Sequence, residues 1–110
     1  MTIFVTQGRY THNAIANMIA NPEDRWENAQ KLIEAVGGKL LNFYLTYGHY
    51  DFLMICEADS AEQLAPALLA AGGTGGVTDI TSFPAMTTAD AKTAFEEAQR
   101  ASASFKPATG

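Results

Sequence analysis

A short polar and aromatic segment in the middle of the chain, Tyr47-Gly48-His49-Tyr50-Asp51, constrains the fold more than any other feature. Runs of aliphatic, aromatic and β-branched residues flank it, over residues 39–46 and 52–57. Two such runs joined by a short glycine-containing segment are typical of a β-hairpin. With Gly48-His49 as the two-residue loop, glycine at the first central position predicts a type II′ turn.

This turn also predicts which residues share a face, because side chains alternate between the two sides of a sheet. One face is strongly apolar, and we expect it to lie under the helices; its cross-strand pairs are Tyr47–Tyr50, Leu45–Phe52, Phe43–Met54 and Leu41–Cys56. The other face is mixed, and its pairs are Thr46–Asp51, Tyr44–Leu53, Asn42–Ile55 and Leu40–Glu57.

The mixed face is too apolar to remain open to water, since its members include Leu40, Tyr44, Leu53 and Ile55. Exposed patches of this kind usually mark an interface, and a strand that is apolar on both sides points the same way. We therefore expect this second sheet face to be covered by another copy of the chain, as a homodimer or higher oligomer, with help from the C-terminal helix.

The first third of the chain predicts one strand and two helices. A strand over residues 2–10 precedes a helix over residues 12–20, with Thr11 as its N-cap. Asn21 and Pro22 then predict the start of a second helix, as its N-cap and first helical residue. The next glycine pair predicts its end.

The second half of the chain predicts two further helices and a strand. Ser60-Ala61-Glu62-Gln63 has the pattern of a capping box, and Pro66 is expected to kink or delay the helix that follows. A glycine-rich connection over residues 72–76 leads to a last strand over residues 77–83. Helix to loop to strand, without lysine, is the wrong context for a phosphate-binding loop.

The order β-α-β-β-α-β plus a terminal helix predicts an α+β fold, the ferredoxin-like plait. Its four-stranded antiparallel sheet has the first and third strands in the centre and both crossover helices on one face. We expect one domain over residues 1–110, with a core over about 2–86, a C-terminal helix over about 88–104 and a frayed tail over 106–110.

The composition limits the partners and the compartment. Seven basic and twelve acidic residues give a net charge of −5, and an acidic domain repels phosphate backbones, so no nucleic-acid partner is expected. The basic residues are too scattered to bind a membrane, and no apolar run approaches the roughly 18 residues of a membrane span. We expect a cytoplasmic protein in which Cys56 is buried. One cysteine and two histidines predict no metal site and no other cofactor.

The sequence also resembles a known family. Gly48-His49-Tyr50-Asp51 matches the G-x-Y-D signature of the GYD-domain family, with Gly37-Gly38-Lys39-Leu40 upstream and Phe43-Tyr44 between. The resemblance spans roughly residues 2–90. It implies a bacterial protein with a plait of the dimeric α/β-barrel type, and it implies no particular activity. Gly48, Tyr50 and Asp51 correspond to motif positions without an assigned role.

Five residues near the hairpin are candidates for binding a ligand: Tyr44, Gly48, His49, Tyr50 and Asp51. A partly desolvated Asp51 can act as a base or bind a polar ligand. Alternatively it accepts hydrogen bonds from Thr46 or turn amides, or pairs with Arg9 or an interface residue. For Tyr44 and Tyr50 the alternatives are the lining of a pocket and packing in the core. For His49 they are a solvated side chain and a general base.

These patterns predict an oligomeric module that binds a small molecule or a protein partner. The alternative is a small cofactor-independent enzyme, monooxygenase-like or isomerase-like, of the kind that other dimeric α/β barrels support. The sequence indicates no catalytic residues.

Overall fold

The computed structural model describes residues 1–109 and has one four-stranded antiparallel sheet with helices on one face. The strands are β1 (Thr2–Tyr10), β2 (Lys39–Leu45), β3 (Phe52–Ala58) and β4 (Val77–Ala85). The helices are α1 (His12–Ala20), α2 (Trp26–Ala35), α3 (Ala61–Gly73) and α4 (Thr88–Ser102). The strand order β2-β3-β1-β4 puts β1 and β3 in the centre, which confirms the ferredoxin-like prediction.

The core lies between the sheet and two helices, α2 and α3. Phe4 of β1 and both Met54 and Cys56 of β3 lie in one buried cluster with Ile33 of α2 and Leu64 of α3. Burial alternates along β3, so that every second residue points under the helices. The predicted burial of Cys56 is confirmed, since none of its surface is exposed.

Three predicted helix ends are confirmed by local contacts. The Thr11 hydroxyl accepts a hydrogen bond from the Ala14 amide at 3.2 Å, and the Ser60 hydroxyl accepts one from the Gln63 amide at 3.1 Å. Gly37 follows α2 with φ of +87°, the left-handed conformation in which a Cβ would be strained. These caps satisfy backbone groups that a helix end leaves without partners.

The start of α2 differs from the prediction. Asn21 closes α1, because its amide donates to the Asn17 carbonyl at 2.8 Å, and Pro22 lies in the connection that follows. The helix begins only at Trp26, whose amide donates to the Asp24 carboxylate at 2.9 Å. Asp24 thus forms a side-chain turn two residues before the helix, which delays its start.

The hairpin connection is wider than the predicted two-residue turn and spans residues 46–51. Gly48 has φ of +147°, whereas a type II′ turn requires about +60° at that position. The Thr46 hydroxyl donates to the Tyr50 carbonyl, and the Thr46 amide donates to the Asp51 carbonyl, both at 2.8 Å. These two bonds close a broad loop.

The predicted register is confirmed near the loop and wrong at the far end of the hairpin. The confirmed pairs are Leu45–Phe52, Tyr44–Leu53, Phe43–Met54 and Asn42–Ile55. A bulge at Leu41 then shifts the register, so that Leu40 lies opposite Cys56 and Lys39 opposite Glu57. Leu40, predicted on the second sheet face, is therefore a core residue.

The last strand is longer than predicted and forms one edge of the sheet. Pro84 is compatible with this edge position, where a missing backbone donor breaks no ladder on the outer side. Asp79 has φ of +52° and lies where the pairing with β1 changes register, which marks a second bulge. Before β4, Pro66 lies inside α3 without ending the helix.

The C-terminal helix α4 projects from the rest of the chain. The Thr87 hydroxyl caps this helix by accepting a 3.1 Å bond from the Asp90 amide, but every residue of α4 except Ala91 is exposed. The radius of gyration is 17.9 Å, against about 13 Å for a compact domain of this length. In the single chain, α4 therefore leaves the far side of the sheet uncovered.

Residues 106–109, where a frayed tail was expected, are exposed and outside any helix, and Gly110 lies outside the described residues. None of the helices within residues 1–109 combines the length and the apolar character that a membrane crossing needs.

Candidate functional site

Asp51 ties the hairpin loop to the end of β1. Its amide donates to the Gly8 carbonyl at 2.9 Å, and its carboxylate accepts a bond from the Tyr10 amide at 2.8 Å. The pairing of β1 with β3 ends at Gly8 and Phe52, so the carboxylate supplies an acceptor beyond the last pair. Asp51 thus has a structural role, through a partner that lies far away in sequence.

Gly8 and Phe52 form a close contact beneath this loop. The Phe52 ring lies across Gly8, where an added Cβ would be 2.6 Å from ring carbon Cζ. The Tyr10 ring packs on Phe52 with centroids 5.3 Å apart, and the Phe43 ring meets it edge-on at 6.0 Å. An aromatic ring over a cross-strand glycine is a recognised sheet pairing. The sequence alone does not predict this contact, because it depends on the pairing between two distant strands.

The remaining loop residues lie at the surface. A Cβ on Gly48 would meet no other described atom within 4 Å. His49 is exposed and meets Tyr50 edge-on, with ring centroids 4.7 Å apart. Leu45 and Tyr47, predicted on the helix-covered face, are exposed because no residue within 1–109 covers this end of the hairpin. The structure thus brings together His49 and Tyr50 at an open position.

The side of the sheet away from the helices, which we call the open face, carries residues from all four strands: Ile3, Val5, Gln7, Asn42, Tyr44, Leu53, Ile55, Glu57, Thr81, Phe83 and Ala85. Its centre is an apolar row of Ile55, Val5 and Phe83 at paired positions on three strands. Tyr44 lies beside this row, and its hydroxyl accepts a bond from the Asn42 side-chain amide at 3.1 Å. Phe83 is 45% exposed and Tyr44 is 55% exposed.

A cavity of about 420 Å³ lies on the opposite, helix-covered side, where α1, α2 and α3 meet the sheet. Its apolar lining includes Met18, Leu32, Phe43, Phe52, Leu68 and Ile80. The exposed polar residues Asn17, Arg25 and Asn28 lie at its mouth. None of the five predicted candidates lines this cavity; Asp51 adjoins it through the Tyr10 amide.

Two groups on the covered side have shifted pKa values. Burial raises the pKa of the Tyr10 phenol, a change that the Arg25 charge opposes and the Asp51 charge reinforces. Burial also raises the pKa of the Cys56 thiol. At neutral pH the Tyr10 hydroxyl is therefore protonated and can donate a hydrogen bond. Within residues 1–109, no group of three His, Cys, Asp or Glu side chains is placed to hold a metal ion.

Comparisons with known proteins give a family and a relative. The chain matches the family model of the GYD domain over residues 4–95. The "Glutamine synthetase and cystathionine beta-lyase binding protein" of Thermus thermophilus is 30% identical over 81 residues, which are 74% of this chain and 85% of that protein.

Two solved structures resemble this chain at low identity. The hypothetical protein PHS023 from Pyrococcus horikoshii superposes with a TM-score of 0.49 at 12% identity, over 79% of this chain and 92% of its own. The protein TTHA0845 from Thermus thermophilus gives a TM-score of 0.45 at 16% identity, over 79% of this chain and 95% of its own.

Proposed function

This chain belongs to the GYD-domain family, and we propose that it is a homo-oligomeric module that binds a protein partner. The observation that carries the proposal is the open face, whose central row of Ile55, Val5 and Phe83 is uncovered in the single chain. A sheet that is apolar on both sides is stable when both sides are packed. The chain supplies helices for one side only.

A second copy of the chain is the partner that suits the open face. In a two-fold interface the same patch meets itself, so the apolar row would pack against its own equivalent. The polar residues Gln7, Asn42 and Glu57 lie next to this row and the apolar Ile3 and Leu53 extend it, a mixture of apolar and polar groups that interfaces commonly have.

The projecting helix α4 supports the same assembly. Phe95 is 76% exposed, and it lies on one apolar stripe with Ala91 and Ala98, which are spaced at one and two helical turns. A helix with such a stripe needs an apolar surface, and within residues 1–109 α4 stays exposed along almost its whole length. We propose that α4 packs on the neighbouring copy.

The choice of a protein as further partner rests on the Thermus relative. Its name describes a protein that binds glutamine synthetase and cystathionine β-lyase. At 30% identity, this relative supports protein binding as the class of function for the present chain. The same two enzymes are therefore the first partners to test.

The cavity favours binding over catalysis. A general acid or base must lie within hydrogen-bond reach of the reacting group, and the described residues that line the cavity include no Asp, Glu, His or Cys. Tyr10 is the titratable group besides Arg25, and its raised pKa makes it a poor base at neutral pH. The enzyme alternative thus has less support from the geometry.

Biolayer interferometry tests the partner-binding half of the proposal. The chain would be immobilised and exposed to purified glutamine synthetase and cystathionine β-lyase from the organism that encodes it. We expect saturable binding of at least one enzyme at micromolar concentration. A sensor that carries an unrelated protein of equal net charge controls for simple charge attraction. If neither enzyme binds above that control, these two enzymes are contradicted as partners, whereas self-assembly is tested separately.

A further inference from the structure

The cavity under the helices has the size and the lining of a site for a small apolar molecule. Its volume of about 420 Å³ equals that of about fourteen waters at roughly 30 Å³ each, and it falls within the size range of ligand sites. Phe52 and Met54 line its buried part, and each is only 7% exposed. Met18 and Leu68 line it from α1 and α3. Such a lining offers water few hydrogen bonds and an apolar chain many contacts.

One charged side chain lies at the mouth of the cavity. Arg25 is the charged side chain in the described lining, which includes no Asp, Glu or Lys. Asn17 and Asn28 add amide groups at the same rim. The carboxylate that pairs with Arg25 belongs to Glu23, which lies outside the lining. The remaining N–H donors of the guanidinium favour a ligand whose polar end is an anion.

Tyr10 adds a neutral donor on the side where Arg25 lies. Its ring packs on Phe52 at the cavity wall, and its hydroxyl has no hydrogen-bond partner within residues 1–109. Tyr10 and Arg25 line the same cavity, so an anion bound between them can accept bonds from both groups.

Glu23 pairs with Arg25 at the mouth of the cavity. The Arg25 Nη1 donates to Glu23 Oε1 at 2.6 Å, and the Asn28 side-chain amide donates to the same oxygen at 3.2 Å. The guanidinium has five N–H donors, so further donors remain. An exposed ion pair of this kind contributes little stability, and the carboxylate of a ligand can compete with it.

We infer that this cavity binds a small amphipathic monocarboxylate, with its apolar chain among Met18, Phe52 and Leu68 and its carboxylate at Arg25 and the Tyr10 hydroxyl. The site lies on the helix-covered side of the sheet. It therefore goes beyond the proposed function, which concerns the open face and α4, and it stands or falls separately.

Isothermal titration of the full chain with octanoate and with 1-octanol tests the inference. The two probes share an apolar chain and differ in charge. We expect octanoate to bind about tenfold more tightly than octanol because its carboxylate gains charged hydrogen bonds. We also expect the affinity to rise about fourfold per methylene from hexanoate to octanoate. Equal affinity for octanoate and octanol, or no saturable binding of either, would overturn the inference.

Variants at the cavity mouth distinguish an effect of the Arg25 charge on binding from an effect on the fold. Arg25→Met should remove the preference for octanoate, and Arg25→Lys should keep part of it. Arg100→Met changes an exposed arginine on α4, outside the cavity, and should leave the preference intact. Glu23→Gln should tighten the binding of octanoate but not that of octanol, since it removes the competing carboxylate. A preference that survives in Arg25→Met would contradict the assignment.

Two further measurements locate the ligand. Ala71→Leu adds volume to the cavity lining and should weaken both probes in a protein whose circular dichroism is unchanged. Octanoate should shift the methyl NMR signals of Met18, Leu68 and Ile80. Shifts confined to Ile3, Leu53 and Ile55 would mean adsorption on the open face, and that result would overturn the inference.

Discussion

The helix-covered face and the open face of the sheet come from alternate residues of the same strands, yet only one is covered within a single chain. On β3, Met54 and Cys56 are buried in the core, while Leu53 and Ile55 beside them are only partly buried. Both sets are apolar, so polarity does not explain the difference. The strand composition indicates that both sides need cover, and the topology places the crossover helices on one side.

The largest effect should come from neighbouring substitutions on the two faces. Met54→Ala removes a core side chain that is 7% exposed and should lower the free energy of unfolding by about 2–5 kcal/mol. Ile55→Ala, one residue along on the open face, should cost less in the single chain. Urea denaturation monitored by circular dichroism gives both values.

Protein concentration sharpens this comparison. If the open face is buried between copies, the loss caused by Ile55→Ala should grow as the protein concentration increases, since assembly stabilises only the folded state. The loss caused by Met54→Ala should stay nearly constant. Equal and concentration-independent losses would mean that the two faces do not differ in the way we propose.

The next effect concerns close packing on the covered face. Gly8→Ala places a Cβ at 2.6 Å from Phe52 Cζ, and the ring must move, which should cost about 1–3 kcal/mol. Gly73→Ala is the control, because its Cβ would meet nothing within 4 Å. It should leave the stability unchanged or slightly raised. Thermal unfolding of both variants is the measurement, and equal melting temperatures would contradict the Gly8–Phe52 contact.

A smaller effect is expected at the loop that borders both faces. Asp51→Ala loses the bond to the Tyr10 amide and should cost about 1–2 kcal/mol in urea denaturation. Asp51→Asn keeps an acceptor and should recover part of that loss. His49→Ala, in the same loop but exposed, should change the stability by less than about 0.5 kcal/mol. If Asp51→Ala is as stable as the wild type, the carboxylate does not hold the loop.

The smallest expected effect is a pH dependence of the stability, which comes from two titratable groups on the helix-covered face. Burial raises the pKa values of Cys56 and Tyr10 above their ordinary values of 9.0 and 10.0. Between the unfolded and folded pKa values the folded state binds more protons, so stability falls as pH rises. This stability is present below about pH 9 and is lost as the pH passes through the folded values.

Denaturation midpoints measured at increasing pH check this expectation. Tyr10→Phe should flatten the decline in the range where the phenol titrates, and Cys56→Ala should flatten the earlier part. A stability that stays constant above about pH 9 would contradict the burial of both groups.

The helix caps were predictable because neighbouring residues decide them. Thr11 and Ser60 each bond to an amide three residues further on, and Gly37 needs only its own conformational freedom. The register near the loop was predictable because centring the connection on Gly48-His49 already pairs Leu45 with Phe52, and the wider loop of the structure keeps that pair.

The predictions were wrong where a contact outside the local sequence pattern determines the structure. The bulge at Leu41 places the Leu40 side chain in the core, and no residue in the hairpin sequence predicts this bulge. Asp24 bonds to the Trp26 amide and delays α2, although Asn21 and Pro22 have the composition of a helix start. In each case an alternative hydrogen-bond pattern replaced the expected one.

The candidate sites were predictable only in part. The sequence drew attention to Asp51 but not to Tyr10, its partner 41 residues away. The cavity escaped prediction altogether, because α1, α2 and α3 each contribute a few side chains and no segment holds a recognisable motif. The apolar character of Leu53 and Ile55 did predict a second sheet face that needs to be covered, although what covers this face stays a prediction.

Sedimentation velocity over a micromolar concentration range tests the central claim, that the open face is an interface between copies. We predict that the wild type sediments as a dimer or a larger species and that Ile55→Lys sediments as a monomer. Asn13→Lys adds the same charge on exposed α1 and should behave as the wild type. A wild type that remains monomeric throughout the range, or an Ile55→Lys variant that assembles as well as Asn13→Lys, would contradict the claim.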